Sequence, residues 1–229
     1  MSSHSHCDQG SFYFESDGVT WATDLGMQDY NSLETAGVDL WDMTQDSERW
    51  SVFRIGPFSH NILTVNGHTP KVNHPASFSH TWMPESAGRI GAELDLTDLY
   101  TEDLDSCKRA VYLLNGDLNV VDLVQAGDSA CTVRWAMCTE AEATLLPGDR
   151  ILLQAGEKSR FLSAATEGPA GDFAFHVWPT TYDPATPDLD GMQFLHETDV
   201  PNPGTALVGF TFTLQPHQKA VLHVTLQRS

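Results

Sequence analysis

The chain has 229 residues, with 31 Asp or Glu against 12 Lys or Arg, and a formal net charge of −19. This length is sufficient for one large domain with a substantial hydrophobic core. The acidic balance argues against nucleic acid or an anionic membrane surface as a partner, because binding to either needs clustered cations. No apolar run approaches the roughly 20 residues that span a bilayer, and the polar N-terminus lacks the pattern of a signal peptide.

Short apolar runs alternate with turn residues along the chain. The first two, GSFYFES and GVTWATDLG, are joined by Asp17-Gly18, a pair typical of tight hairpins. Turn signals roughly every 8 to 12 residues favour an antiparallel sandwich or barrel. We expect an all-β fold, a large antiparallel β-sandwich of many short strands, with residues 1–229 as a single domain. The later predicted strands are WSVFRIG, HNILTVNG, GRIGAELDL, KRAVYLLNG, DLNVVDLVQAG, ACTVRWAMC, DRILLQAG, SRFLSAATEG, DFAFHVWP, ALVGFTFTL and KAVLHVTLQ.

Two stretches lack the strand pattern. Residues 31–48 contain Gly37 and five acidic residues, so they are predicted to form a long loop. A loop of that length in a compact domain is usually functional or disordered. Residues 179–204 contain five prolines and are predicted to form a surface excursion.

The four cysteines are sparse and show no CxxC spacing, so they are predicted to be buried free thiols rather than a disulfide framework. Cys7 needs separate attention because it lies inside a histidine cluster, where a thiol could become a metal ligand or an oxidation hazard. The cysteines are Cys7, Cys107, Cys131 and Cys138.

The histidine cluster is the segment SHSHCDQG. His4, His6 and Asp8 occupy alternating positions, so in extended backbone their side chains project to one side. A tag remnant, ordinary surface polarity and half of a metal site are the three interpretations. The pattern HxH alone is common, and it does not choose among them.

Two downstream residues make the metal interpretation more specific. Asp24 ends the second predicted strand and can return beside the histidines through the hairpin, while His60 opens HNILTVNG. His6, Asp24 and His60 together supply two imidazoles and one carboxylate, a donor set that suits zinc and leaves a position for water or a fourth ligand.

A family resemblance emerges from four segments in order: SHSHCDQGSF, DLGMQDY, RWSVFRIGPFSHNILTVNG and KRAVYLLNGDLNVVDLV. Together they resemble the C-terminal β-sandwich domain of the heparinase II/III-like polysaccharide lyases. The similarity covers essentially the whole chain and is strongest over residues 3–67. In that family an N-terminal α/α toroid precedes the sandwich, and the active site lies between the two. The chain therefore resembles a fragment lacking this toroid.

The resemblance implies roles for five residues. His6, Asp24 and His60 would bind a structural zinc ion, His4 would face the uronic-acid subsite, and Tyr30 would lie near the same cleft. Cys7 stands where the family motif more often has Asn. The principal catalytic Tyr and the carboxylate-neutralising Asn and His would come from the toroid, so the chain is expected to be inactive alone.

The implied reaction is β-elimination in a glycan that contains uronic acid, either heparan- or heparin-like or alginate-like. The expected partners are an acidic polysaccharide or oligosaccharide and the toroid domain of the same chain. The charge of −19 requires either that the toroid supplies basic surface or that the substrate is less charged than heparin. The alternative function is a non-catalytic carbohydrate-binding or structural β-sandwich that keeps the zinc for stability.

Overall fold

A computed structural model describes residues 4–72, 80–82, 88–168, 173–185 and 194–229. Within these ranges α1 spans Tyr30–Thr35, and 3-10 turns occupy Glu48–Ser51 and Thr97–Leu99. None of the described helices is long and apolar enough to cross a membrane. The strands are β1 Phe14–Ser16, β2 Val19–Ala22, β3 Leu63–Val65, β4 His80–Trp82, β5 Ile90–Asp95, β6 Leu104–Leu114, β7 Asp117–Ala126, β8 Cys131–Thr139, β9 Glu142–Leu146, β10 Arg150–Ala155, β11 Lys158–Glu167, β12 Ala174–Trp178, β13 Ala206–Leu214 and β14 Lys219–Arg228.

The described strands form an eight-stranded sheet, a four-stranded sheet and a two-stranded hairpin. The large sheet has the order β4-β5-β6-β7-β14-β11-β10-β9, and the small sheet has the order β12-β13-β8-β3. The hairpin is β1-β2, and the strand pairs are antiparallel. The prediction of an all-β, antiparallel sandwich is confirmed.

The core lies between the two sheets. Strand β7 alternates strictly between half-buried and buried positions, which is the pattern of a strand with one face on the core. Val124 of the large sheet belongs to the same buried cluster as Trp135 and Phe210 of the small sheet, whose rings stack with centroids 5.7 Å apart. Burying an aliphatic or aromatic side chain of this kind contributes about 1.5–3 kcal/mol.

A buried ion pair fixes the N-terminal segment to the large sheet. Arg109 donates to both carboxylate oxygens of Asp122, from Nε at 2.7 Å and from the second terminal nitrogen at 3.0 Å. Its remaining nitrogen donates to the carbonyls of Gly10 and Asn61 at 3.0 and 2.8 Å. Both charges are almost fully buried, at 1% and 0% exposure, so each needs the other.

The predicted turn at Asp17-Gly18 has φ values of 55° and 69°, the left-handed geometry of a two-residue hairpin turn. One strand prediction was wrong, and the loop predicted for residues 31–48 is correct for residues 36–47 only. The run WSVFRIG forms a 3-10 turn followed by irregular turns, because Trp50 and Ile55 pack into a second cluster with Leu33 and Leu40. The predicted loop 31–48 begins inside the short helix α1.

Candidate functional site

The register of β8 brings Asp24 and His60 together. Thr23 forms an isolated antiparallel bridge with Cys138, while β3 pairs with β8 from Leu63 opposite Trp135. The residues just before β3 therefore lie beside Cys138. The residues just after β2 also lie beside Cys138. Asp24 and His60 are neighbours because both segments lie along the same edge of β8.

Asn61 holds these segments in place. Its amide nitrogen donates to the carbonyls of Phe12 and Thr23 at 2.6 and 3.0 Å, and its side-chain oxygen accepts from the Cys138 N–H at 2.6 Å. Asn61 is fully buried. The Asn of the HN pair is therefore a clamp between three chain segments, a role that the sequence reasoning missed.

Asp24 and His60 form a close pair, with His60 Nδ1 2.7 Å from Asp24 Oδ2. Partial burial acts to raise the pKa of the Asp24 carboxyl, but the hydrogen bond and charge of His60 outweigh it and the net pKa is lowered. Asp24 is therefore ionised at neutral pH, and His60 Nδ1 is the donor. His60 Nε2 is buried and has no hydrogen-bond partner.

His6 completes this group, with its ring centroid 5.4 Å from that of His60. Burial, and then the nearby charge of His60, lowers the pKa of the His6 imidazole, which favours its neutral form. Across the described ranges, no three or more His, Cys, Asp or Glu side chains are arranged so that they could hold a metal as they stand. The donor types and the unpartnered Nε2 nevertheless suit a zinc ion, which binds neutral imidazole and carboxylate.

Cys7 belongs to the apolar cluster that contains Leu33 and Leu40. Its side chain is 1% exposed, and burial raises the pKa of the thiol far above its usual range. A protonated thiol is a poor metal ligand. The prediction of buried free thiols is confirmed for all four cysteines.

His4 and Tyr30 lie together at the exposed end of the histidine segment. Their rings are nearly parallel, with an interplanar angle of 5° and centroids 5.7 Å apart. Tyr30 is the first residue of α1, which begins there because Asp29 accepts a hydrogen bond from the Ser32 N–H at 2.9 Å. The structure thus places His4 beside Tyr30, and their roles at a substrate cleft stay predictions.

The histidine segment is irregular rather than a strand, so the predicted projection of His4, His6 and Asp8 to one side does not hold. His4 contacts Tyr30, whereas His6 contacts His60. The backbone turns because Cys7 N–H donates to the Ile55 carbonyl at 2.9 Å, away from any sheet.

Arg49 supports this segment from beneath. It is fully buried, and it donates to the carbonyls of Leu40 and Ser5 at 2.7 and 3.0 Å. Its guanidinium carbon lies 5.8 Å from the centroid of the Tyr30 ring. Arg49 therefore fixes the backbone between His4 and His6 against the loop that follows α1.

The protein is thus a β-sandwich in which His6, Asp24 and His60 lie close together and His4 lies beside Tyr30. The model of the family described as "Heparinase II/III-like, C-terminal" matches residues 1–219. The chain belongs to this family, which confirms the resemblance and implies a polysaccharide lyase component. No curated protein matches the chain significantly.

Proposed function

We propose that this chain is the zinc-bearing, substrate-facing C-terminal domain of a lyase that cleaves uronic-acid-containing glycans by β-elimination. The observation that carries the proposal is two neighbouring groups of side chains: the exposed His4 beside Tyr30, and Asp24 beside the buried ring of His60. Family membership supports a polysaccharide substrate and a companion catalytic domain.

β-Elimination requires a base to remove the proton at C5 of the uronate while the bond to the 4-oxygen breaks. The C5 proton is weakly acidic, so the adjacent carboxylate must be neutralised to stabilise the enolate-like intermediate. His4 is exposed and would donate a hydrogen bond to that carboxylate. Tyr30, stacked on it, would hold the imidazole in position. The companion toroid would supply the remaining groups, so the domain alone would be inactive.

His6, Asp24 and His60 would hold the zinc ion. The support is the buried Nε2 of His60, which lacks any hydrogen-bond partner, and the neighbouring neutral imidazole of His6. Bound zinc would supply a cross-link between three segments that are far apart in sequence. Because binding to the folded state alone stabilises it, a ligand at 100 times its Kd would contribute about 2.7 kcal/mol.

The zinc assignment is tested by metal analysis of protein prepared without chelators, combined with thermal melts. We expect about one zinc per chain and a melting temperature that a chelator lowers. In His6→Ala, Asp24→Ala and His60→Ala the metal content and the chelator effect should both fall, whereas His217→Ala, at an exposed position, should retain them. A stoichiometry near zero in the unmutated protein would contradict the zinc assignment.

The lyase assignment is tested by the ultraviolet absorbance of unsaturated uronate, with a protein that carries both the sandwich and the toroid. Heparan, chondroitin, hyaluronan and alginate serve as substrates. We expect the absorbance to rise with at least one of these substrates. Its absence on all four, with binding retained, would favour the non-catalytic carbohydrate-binding sandwich.

A further inference from the structure

The segment from Asp24 to Tyr30 joins the two groups of the candidate site, and it is irregular. Residues 24–29 belong to no helix or strand. Asp24 begins the segment beside His60, and its Oδ1 accepts a hydrogen bond from the Gly26 N–H at 2.8 Å. Tyr30 ends it as the first residue of α1. Because no sheet ladder pairs this backbone, its position depends on hydrogen bonds from side chains.

The side chain of Gln28 binds this segment to residues 196–202, which we call the strap. Gln28 is 2% exposed. Its amide nitrogen donates to the Thr198 carbonyl at 2.8 Å, and its amide oxygen accepts from the Val200 N–H at 3.3 Å. A primary amide donates and accepts at once, so it pairs with the strap backbone much as a neighbouring strand would. Gln28 lies two residues before Tyr30.

Two buried side chains of the strap, Asp199 and Asn202, hold it in place. Asp199 accepts a hydrogen bond from the Phe53 N–H at 2.9 Å. Asn202 accepts from Arg54 Nε at 2.8 Å, and Arg54 also donates to the Met27 carbonyl at 3.0 Å. The strap, the turn that carries Arg54 and the segment that carries Met27 are therefore each hydrogen-bonded to the other two.

This network reaches His4 through the start of α1. Asp29 follows Gln28 and caps the helix by accepting from the Ser32 N–H. The Tyr30 ring then stacks on the His4 imidazole. Placement of such a group matters for a reaction, because a displacement of about 1 Å can lower a rate about 100-fold.

We propose that Gln28 is a positioning residue for the uronate contact of His4. By binding the strap it fixes the start of α1, and this fixes the Tyr30 ring against which the His4 imidazole lies. The inference rests on the proposed function, because the positioning has a catalytic consequence only if His4 meets the uronate.

Hydrogen exchange of this chain, followed by mass spectrometry, tests the link between Gln28 and Tyr30. Gln28→Met keeps the size of the side chain but loses both hydrogen bonds. Peptides that cover residues 24–36 should exchange at least about tenfold faster, which corresponds to about 1.4 kcal/mol of local stability. Peptides from the core strand β8 should keep their exchange rates.

Gln45→Met is the matched control for this exchange experiment. The Gln45 amide also donates to backbone carbonyls, of Thr69 and Pro70, and accepts from the Val72 N–H. These partners lie in a segment that contains neither Asp24 nor Tyr30. Exchange of residues 24–36 should therefore equal that of the unmutated protein.

Gln28→Glu provides a rescue test. A protonated carboxyl offers an O–H donor and a carbonyl acceptor, as the amide does, whereas an ionised carboxylate only accepts. Burial favours the protonated form, so at about pH 5 this variant should exchange like the unmutated protein, and at about pH 8.5 like Gln28→Met. The inference is overturned if Gln28→Met exchanges like the unmutated protein, or if Gln28→Glu at about pH 5 is no better protected than Gln28→Met.

The catalytic consequence is measured in a protein in which this sandwich is joined to a toroid domain. Gln28→Met should lower kcat for unsaturated-uronate formation at least about tenfold and change KM less than about twofold, because the displaced group acts in the transition state. Gln45→Met should keep both constants. If the unmutated protein is active and Gln28→Met has the same kcat, the proposed function stands and the positioning role is wrong. If the unmutated protein is inactive on every substrate, both fail.

Discussion

Replacing Asn61 by Ala tests whether this residue holds the candidate site together. The change removes three hydrogen bonds and leaves the carbonyls of Phe12 and Thr23 and the N–H of Cys138 without their side-chain partner. Each buried polar group left unpaired costs about 1–3 kcal/mol. Three such groups give a loss of at least about 3 kcal/mol, a large fraction of the 5–15 kcal/mol by which domains are typically stable.

The assay is urea unfolding followed by tryptophan fluorescence. With a slope of about 3 kcal/mol per M, the midpoint should fall by about 1 M or more at an unchanged slope. Asn119→Ala is the control, because Asn119 is half-buried and its side chain donates one 3.2 Å hydrogen bond, to the Asp117 carbonyl. It should lose at most about 1 kcal/mol. Equal losses of stability in Asn61→Ala and Asn119→Ala would refute the role of Asn61 as a clamp.

Three further predictions concern the rest of the fold. Arg109→Met leaves the buried Asp122 charge without its partner and should lower the free energy of unfolding in urea by about 3–5 kcal/mol. The double variant Arg109→Met/Asp122→Leu should recover much of this stability. Equal stability of the single and double variants would argue against the importance of the ion pair. Burial raises the pKa of Cys131 to about 11 and of Cys138 to about 12, so thiol reagents at pH 8 should label the native protein far more slowly than the unfolded protein. Hydrogen bonds from Thr97, with Lys108 nearby, lower the pKa of Asp95. Its contribution to stability is therefore present above the unfolded pKa of about 3.9 and lost as the pH falls through the lower folded pKa. Asp95→Asn should thus reduce the free energy of unfolding at pH 7 but not at pH 2. A reduction of the same size at both pH values would show that ionisation of Asp95 is not the cause.

The strands and hairpins were predictable because their signals are local. A left-handed turn requires residues such as Asp17-Gly18, and the period of two along β7 follows from burial of one face. The helix α1 and the irregular path of WSVFRIG were not predictable in the same way. Their apolar residues pack around a separate cluster whose members, such as Leu40 and Ile55, are distant in sequence.

The proximity of Asp24 and His60 could be predicted in part, from the strand order and from the family resemblance. What brings them within 2.7 Å is the shared register on β8, which depends on long-range pairing. The buried position of Arg49 depends on its hydrogen bonds to the carbonyls of Leu40 and Ser5, which lie 9 and 44 residues away in sequence.

We propose that this domain contributes a substrate-contacting histidine, His4, to a uronate lyase. The most direct measurement is kcat/KM for unsaturated-uronate formation by the His4→Ala variant of a protein in which this sandwich is joined to a toroid domain. Loss of a group that assists proton transfer or stabilises developing charge typically costs 10²–10⁴-fold. We predict a loss of at least about 100-fold, with little change in His68→Ala, whose exposed ring pairs with Asp103. Equal activity of His4→Ala and the unmutated protein would contradict the account.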